Sequence, residues 1–409
     1  MIGLGLGLFL LFAVSSCIAA DPPKSPEEAL LRANTEINRI LESSANGTNA
    51  EIPVQPATGG GAEITFWYYA HPAVAAAVES IQPQFGSLPV RALYIGEWDV
   101  AVQKLLVSIV SGQVPDVALV KRDLVAPLYR AGRIRALDSI LPESLLDDFR
   151  DEVFTDYAYE GRLCGLPADG YCSVLFYNRR FIGDTPPKTW VFFSAHLNAH
   201  RSVTGLENTR GYGAVPFVEA LWSAGGDVIN NGRGALDTPA AARALHFVLD
   251  ATADVPRGED SSFREFTEGK IAMTAASSQR FAQAAKGGFP VGIAPVPGET
   301  GPISRRSNDA VVVFARDGGA DSAAIAALIE WLTGPSVYSE KAQQTGNVPI
   351  RKSITNSDAV QPGFLEAYAS GRNTPLVSDW GTIEAEVNRA VAQAYAGVNV
   401  LVGPGSLIP

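Results

Sequence analysis

Beyond residue 62 the apolar positions alternate between short runs of strand character and longer stretches with helical spacing. Ile64-Thr65-Phe66-Trp67-Tyr68 is a β-branched and aromatic run that predicts a strand, and the alanine-rich stretch 73–81 behind it predicts a helix. Residues 90–95 predict a second strand, 103–111 a helix that Gly112 ends, and Pro115-Asp116 opens a third, buried strand over 117–120. This βαβ alternation implies a largely parallel sheet covered on both faces. Ligands of such sheets bind outside the carboxyl ends of the strands, which singles out the loops 69–72, 96–99 and 121–123. A second alternating region runs over 174–297, with helices at 216–224 and 238–251 and a last strand at 291–295. One more strand (310–314) and helices at 323–333 and 382–396 complete the pattern.

The first 61 residues read differently. Residues 2–14 are uninterruptedly apolar, and the first charged residue is Asp21, as in an export segment. Val14-Ser15-Ser16-Cys17 resembles the processing site of a bacterial lipoprotein signal, which implies lipidation of Cys17. No Lys or Arg precedes the apolar run, so a signal cut after Ala20 and an uncleaved anchor stay open as alternatives. Each places the rest of the chain outside the cytoplasm. Ser25-Pro26-Glu27-Glu28 then supplies a helix start, and Leu30, Ala33, Ile37, Ile40 and Leu41 recur on one face. With the Gly-Pro-rich stretch 53–61 behind it, segment 21–61 is expected to be a helical spacer and flexible tether, with docking of the apolar stripe as the alternative.

Composition narrows the function. A chain of 409 residues with 46% hydrophobic positions supports more than one folding unit. A net charge of −11 opposes nucleic acid and anionic membrane surfaces as partners. Cys164 and Cys172 are expected either to pair in an oxidising compartment or to remain free thiols, and they are too few for a structural zinc site. His196 and His200 lack the neighbouring glutamate of a zinc-protease motif, and Gly59-Gly60-Gly61 precedes a strand instead of following one, as a phosphate loop would. No carboxylate pair or nucleophile with its base stands out, so a secreted hydrolase is the weaker reading, and no cofactor or metal is expected.

The order of segments resembles the family 1 extracellular solute-binding proteins, the group that includes maltose-binding protein, over 62–396. The matching pieces include Gly112-Gln113-Val114-Pro115-Asp116-Val117, the run 159–167 leading into Leu175-Phe176-Tyr177-Asn178, Trp222-Ser223-Ala224-Gly225-Gly226-Asp227, Phe266-Thr267-Glu268-Gly269-Lys270, and Thr345-Gly346-Asn347-Val348-Pro349. The resemblance implies a two-lobed α/β periplasmic-binding-protein fold of type II, with lobes joined by crossing hinge strands. Lobe 1 is expected over 62–169 plus 303–350 and lobe 2 over 170–302 plus 351–409. It also implies a monomer that closes on a carbohydrate or sugar-like solute and delivers it to ABC permease subunits; an envelope sensor with the same fold is the alternative.

Sugar recognition needs flat aromatic faces with polar groups at their rim. Tyr69, His71 and Trp98 stand at predicted strand ends, and Asp123 corresponds to a ligand-contacting carboxylate of the family. Asp169 and Tyr171 are expected where the chain crosses between lobes; Tyr171 replaces a carboxylate of maltose-binding protein, which argues against carrying over its maltodextrin specificity. Trp222 is expected as a pocket wall, Gln279 and Arg280 as a polar version of an aromatic platform, and Trp380 as an aromatic contact. Arg305 and Arg306 are further candidates near the second crossing.

Overall fold

The structure, a computed structural model, describes residues 23–46, 63–69, 89–167, 170–199, 214–251, 261–307, 309–316, 320–335, 337–338, 347–354, 362–377 and 379–401. Helix α1 (Pro26–Asn46) is followed by β1 (Ile64–Tyr68), β2 (Val90–Tyr94), α2 (Trp98–Ser111) and β3 (Val117–Lys121). Next come α3 (Asp151–Tyr157), β4 (Leu166–Pro167), β5 (Tyr171–Asn178), α4 (Trp190–Ala199), α5 (Ala214–Ser223), α6 (Pro239–Ala251), β6 (Met273–Ser277) and β7 (Val291–Ala294). The chain continues through β8 (Ser304–Ser307), β9 (Asp309–Val313), α7 (Ser322–Leu332), α8 (Pro362–Ala369), β10 (Gly371–Arg372) and α9 (Trp380–Leu401).

Two sheets organise these elements. The first has the order β2-β1-β3-β9-β4, parallel across β2, β1 and β3 and antiparallel at β9. In β1 the alternation is direct: Ile64, Phe66 and Tyr68 are buried, while Thr65 and Trp67 are partly exposed. Asp116, read above as the opening of β3, accepts from both the backbone N–H and the hydroxyl of Thr65, and so fixes β3 beside β1. The second sheet is built on β5, with β6 on one edge and β7 and β8 on the other, and β10 beyond β8. Its helices enclose separate clusters of buried apolar residues.

The chain passes between the sheets at 167–171, at 307–309, and where Val348 bridges Gly170 and the backbone N–H of Arg150 donates to the Ile350 carbonyl. Strand β8 pairs in the second sheet, so that crossing follows 307 and does not precede 303. The seam is stitched by a buried ion pair, Arg306 Nε to Asp156 Oδ2 at 3.0 Å, and Arg306 also donates to the carbonyl of Gly371 at 2.5 Å.

Three expectations change. Helix α1 is no spacer: Ala29, Leu30, Ala33, Ile37 and Ile40 are buried in one cluster with α5, α6 and α9, because the apolar stripe meets the equally apolar inner face of α9. Asn34 and Asn38 accept the backbone N–H groups of Leu236 and Gly234, which fastens the helix to the hairpin at 229–234. Cys164 and Cys172 are free thiols, one buried in the core of the first sheet and one in that of the second, so the alternative of a disulfide falls. Burial holds both thiols protonated, with Cys164 pushed up to about 11. Finally, α2 begins at Trp98 and not at 103.

Candidate functional site

The carboxyl ends of β1, β3 and β4, the start of β9, the start of β5 and the ends of β6 and β8 all face the crossing between the sheets. Tyr69 follows β1 directly, is 7% exposed, and donates its hydroxyl to Asp309 Oδ1. Tyr171, the first residue of β5, donates to the same oxygen at 3.2 Å. Burial first, and then the charge of Asp309, hold the Tyr69 hydroxyl well above its ordinary range, so it stays a donor. Asp309 therefore joins a strand end of the first sheet to the central strand of the second.

A second group lies where Arg122 and Asp123, just past β3, meet the other lobe. Arg122 is buried and committed to structure: Nε donates to the Asp156 carbonyl at 2.7 Å and Nη1 to the Thr374 carbonyl at 2.8 Å. Asp123 sits beside the start of α9, its Oδ2 within 3.5 Å of where a Cβ on Gly381 would lie. One turn along α9, Glu384 takes Arg305 Nη1 at 2.6 Å, and the backbone N–H of Arg305 donates to the buried Glu219 at 2.7 Å. Arg305 pairs across the sheet with Arg372, whose neighbour is Asn373.

Within this group several fully shielded polar atoms have no protein partner: Asp123 Oδ1, Arg305 Nε, Asn373 Nδ2 and Trp380 Nε1. A buried polar group left unsatisfied costs about 1–3 kcal/mol, so such atoms gathered from both lobes mark a place where something else supplies the bonds. Burial raises the Asp123 carboxyl above its usual range, opposed by Lys121 and reinforced by Glu384.

The remaining expected residues divide. Trp222 is 6% exposed, packs in the core under α5 and donates Nε1 to Asp227 at 3.1 Å, while the Arg372 guanidinium covers its ring at 4.5 Å. It is thus no open pocket wall. Trp380 is 2% exposed with its ring in the same core, which leaves only its N–H to offer and no aromatic face. Both were misplaced for one reason: an aromatic residue at helical spacing satisfies core packing and platform patterns equally. Gln279 and Arg280 form a turn directly after β6, at its crossing end, with the Arg280 guanidinium 4.7 Å over Phe263. His71, Asp169, Cys17 and the Trp98 side chain lie outside the described residues.

Sequence reasoning passed over Asp309, Glu219, Arg372, Asn373 and Glu384. A signal existed for Asp309, which separates the basic pair Arg305-Arg306 from the wholly apolar run 310–314. Glu219 sits in an otherwise apolar helix, another visible anomaly. Among the described residues no cluster of side chains suits a metal ion, and no helix is long and apolar enough to cross a membrane.

Comparison with known proteins agrees with this architecture. A binding protein of Brucella abortus is 23% identical over 331 residues, 73% of this chain and 79% of the relative. The cyclic alpha-maltosyl-1,6-maltose binding protein from Arthrobacter globiformis superposes with a TM-score of 0.66 at 22% identity, covering 85% of this chain and 99% of that one. UgpB from Mycobacterium tuberculosis, solved in complex with glycerophosphocholine, gives 0.66 at 21% identity, over 83% and 98% of the two chains. The fold is therefore the two-lobed one expected from the order of segments. Since the profile of the family described as bacterial extracellular solute-binding protein matches residues 76–366, well over half of the sequence, this chain belongs to the bacterial extracellular solute-binding proteins.

Proposed function

We propose that this protein binds a carbohydrate or sugar-like solute between its lobes and delivers it to ABC permease subunits, without chemical change to the solute. The observation that carries the reading is the set of shielded, unpartnered polar atoms drawn from both sides of the seam: a carboxylate oxygen of Asp123, the Nε of Arg305, the amide nitrogen of Asn373 and the indole nitrogen of Trp380. One acceptor and three donor nitrogens suit hydroxyl groups, each of which both donates and accepts. Tyr69 and Tyr171, fixed by Asp309, would line the same seam and stiffen it. Support also comes from the similarity to the Arthrobacter globiformis protein, whose ligand is a cyclic maltose derivative. In this reading the chain is exported, and Cys17 carries the lipid that keeps it at the membrane.

A thermal-shift panel of mono- and oligosaccharides tests the proposal. A solute that binds only the folded state at about 100 times its Kd stabilises by about 2.7 kcal/mol, an easily read rise in Tm. Asp123→Ala is expected to weaken that solute at least tenfold. A panel in which nothing raises Tm, or an Asp123→Ala protein that binds as the wild type does, would overturn the reading.

A further inference from the structure

We infer that the interlobe site selects by charge: it takes an uncharged or amine-bearing polyhydroxylated solute and excludes phosphorylated and acidic sugars. This rests on the carbohydrate reading above and narrows it. The two proteins compared above pull apart on this point, since one is named for binding a neutral maltose derivative and the other is solved with a phosphodiester.

A buried anion needs donors that are not already spoken for, such as a guanidinium, an ammonium or the start of a helix. At this seam each cationic side chain among the described residues already has a partner. Arg305 is paired with Glu384 and Arg306 with Asp156. Arg372 is held by Asp227 at 2.5 Å while it lies over Trp222. Both groups that bond Arg122 are backbone carbonyls of fixed position. Lys121 and Arg280 have partners as well. The start of α9, a natural seat for an anion, already has the Asp123 carboxylate beside it.

Among the described residues here, the one unpartnered charged oxygen is itself an anion's. Asp123 Oδ1 is an acceptor without a donor, and burial lifts its carboxyl above the usual range because the nearby cations compensate it incompletely. A phosphate or carboxylate brought beside it would add a second uncompensated anion to a shielded site. A hydroxyl or an ammonium would donate to it. The donors left over, Arg305 Nε, Asn373 Nδ2 and Trp380 Nε1, stand on three different residues and do not make the bidentate fork that grips a phosphate.

The test compares maltotriose, glucosamine, glucose 6-phosphate and inorganic phosphate by thermal shift on the full chain at matched ionic strength. Neither phosphate compound is expected to raise the Tm of the wild type through the site. Glu384→Gln removes the negative charge that compensates the Arg305 guanidinium, and is expected to bring in a phosphate-dependent rise that corresponds to at least tenfold tighter binding. A rise in wild-type Tm with either phosphate compound that disappears in Arg305→Ala would overturn the inference, as would a Glu384→Gln protein that still ignores phosphate. If neither sugar, neutral or aminated, binds and the phosphates do not bind either, the carbohydrate reading falls while the exclusion of anions stands.

Discussion

Among single residues, Glu219 has the most unusual chemistry, and its effect on stability can be signed. Its carboxylate is fully enclosed under α5, and burial lifts its pKa from 4.5 to about 7 against the opposing pull of the Arg305 N–H, the Ser173 hydroxyl and the Arg305 charge. The folded protein therefore holds a proton that the unfolded chain has already released. With a raised folded-state pKa, the contribution to stability is complete below about pH 4.5 and is lost as pH rises through about 7. At about 1.4 kcal/mol per unit, the loss is on the order of 3 kcal/mol. Glu219→Gln keeps an acceptor for Arg305 and removes the proton. Its unfolding free energy is expected to vary less than the wild type's across this window, and to exceed it at about pH 8. Parallel pH profiles in chemical denaturation would show that Glu219 does not titrate there. Asp123 was legible in the sequence because the loop 121–123 lies just past an apolar strand run and the family resemblance sets a ligand-contacting carboxylate there. Glu384 was not, since an acid on a helix that also carries Glu386 and Arg389 looks like part of a solvated face. Which acids turn inward depends on crossings that bring residues 123, 305 and 384 together, and no local pattern encodes that.

At the scale of elements, period and turn chemistry found the strands well. Strand β3 extends one residue past the expected 117–120, and β9 begins one residue ahead of the expected 310–314, because a short apolar run bounded by polar residues is a local signal. Helix α1 shows where such signals stop. Its stripe of Leu30, Ala33, Ile37 and Ile40 was visible, but a stripe does not name its partner, which stands more than 300 residues away in α9. The structural reading makes a sharp prediction. Ile37, with no exposure, is expected to cost about 2–4 kcal/mol on replacement by Ala, whereas Leu31, 54% exposed on the same helix, should change stability by less than about 0.5 kcal/mol. Equal and negligible effects in denaturant titrations would return α1 to the status of a spacer.

For the whole molecule, the proposed binding between the lobes turns on how they are set against one another, and the crossing segments pack closely at Gly170. Its N–H donates to the Val348 carbonyl at 3.0 Å and its carbonyl accepts from the Val348 N–H at 2.6 Å, so two crossing segments run side by side there. A Cβ on Gly170 would meet Val348 Cγ2 at 2.7 Å and Tyr368 Cε2 at 2.8 Å, closer than side chains tolerate. Tyr368 also lies beneath the Arg306 guanidinium, 5.6 Å from ring centroid to Cζ, and that arginine is tied to Asp156 in the other lobe. A methyl group at 170 therefore acts as a wedge on the crossing itself, remote from Asp123, Arg305 and Asn373. Overpacking of this kind costs about 1–3 kcal/mol. Where closure bears that cost, binding weakens by about 5- to 150-fold. Gly301→Ala is the control, because a Cβ there meets nothing within 4 Å. With a solute taken from the thermal-shift panel, the wild type is expected to contract in small-angle scattering as it binds. Gly170→Ala should contract less and bind more weakly, and Gly301→Ala should match the wild type. If Gly170→Ala binds and contracts as the wild type does, the crossing at 170 does not govern closure, and the pivot lies instead at the 307–309 passage where Asp309 holds Tyr69 and Tyr171.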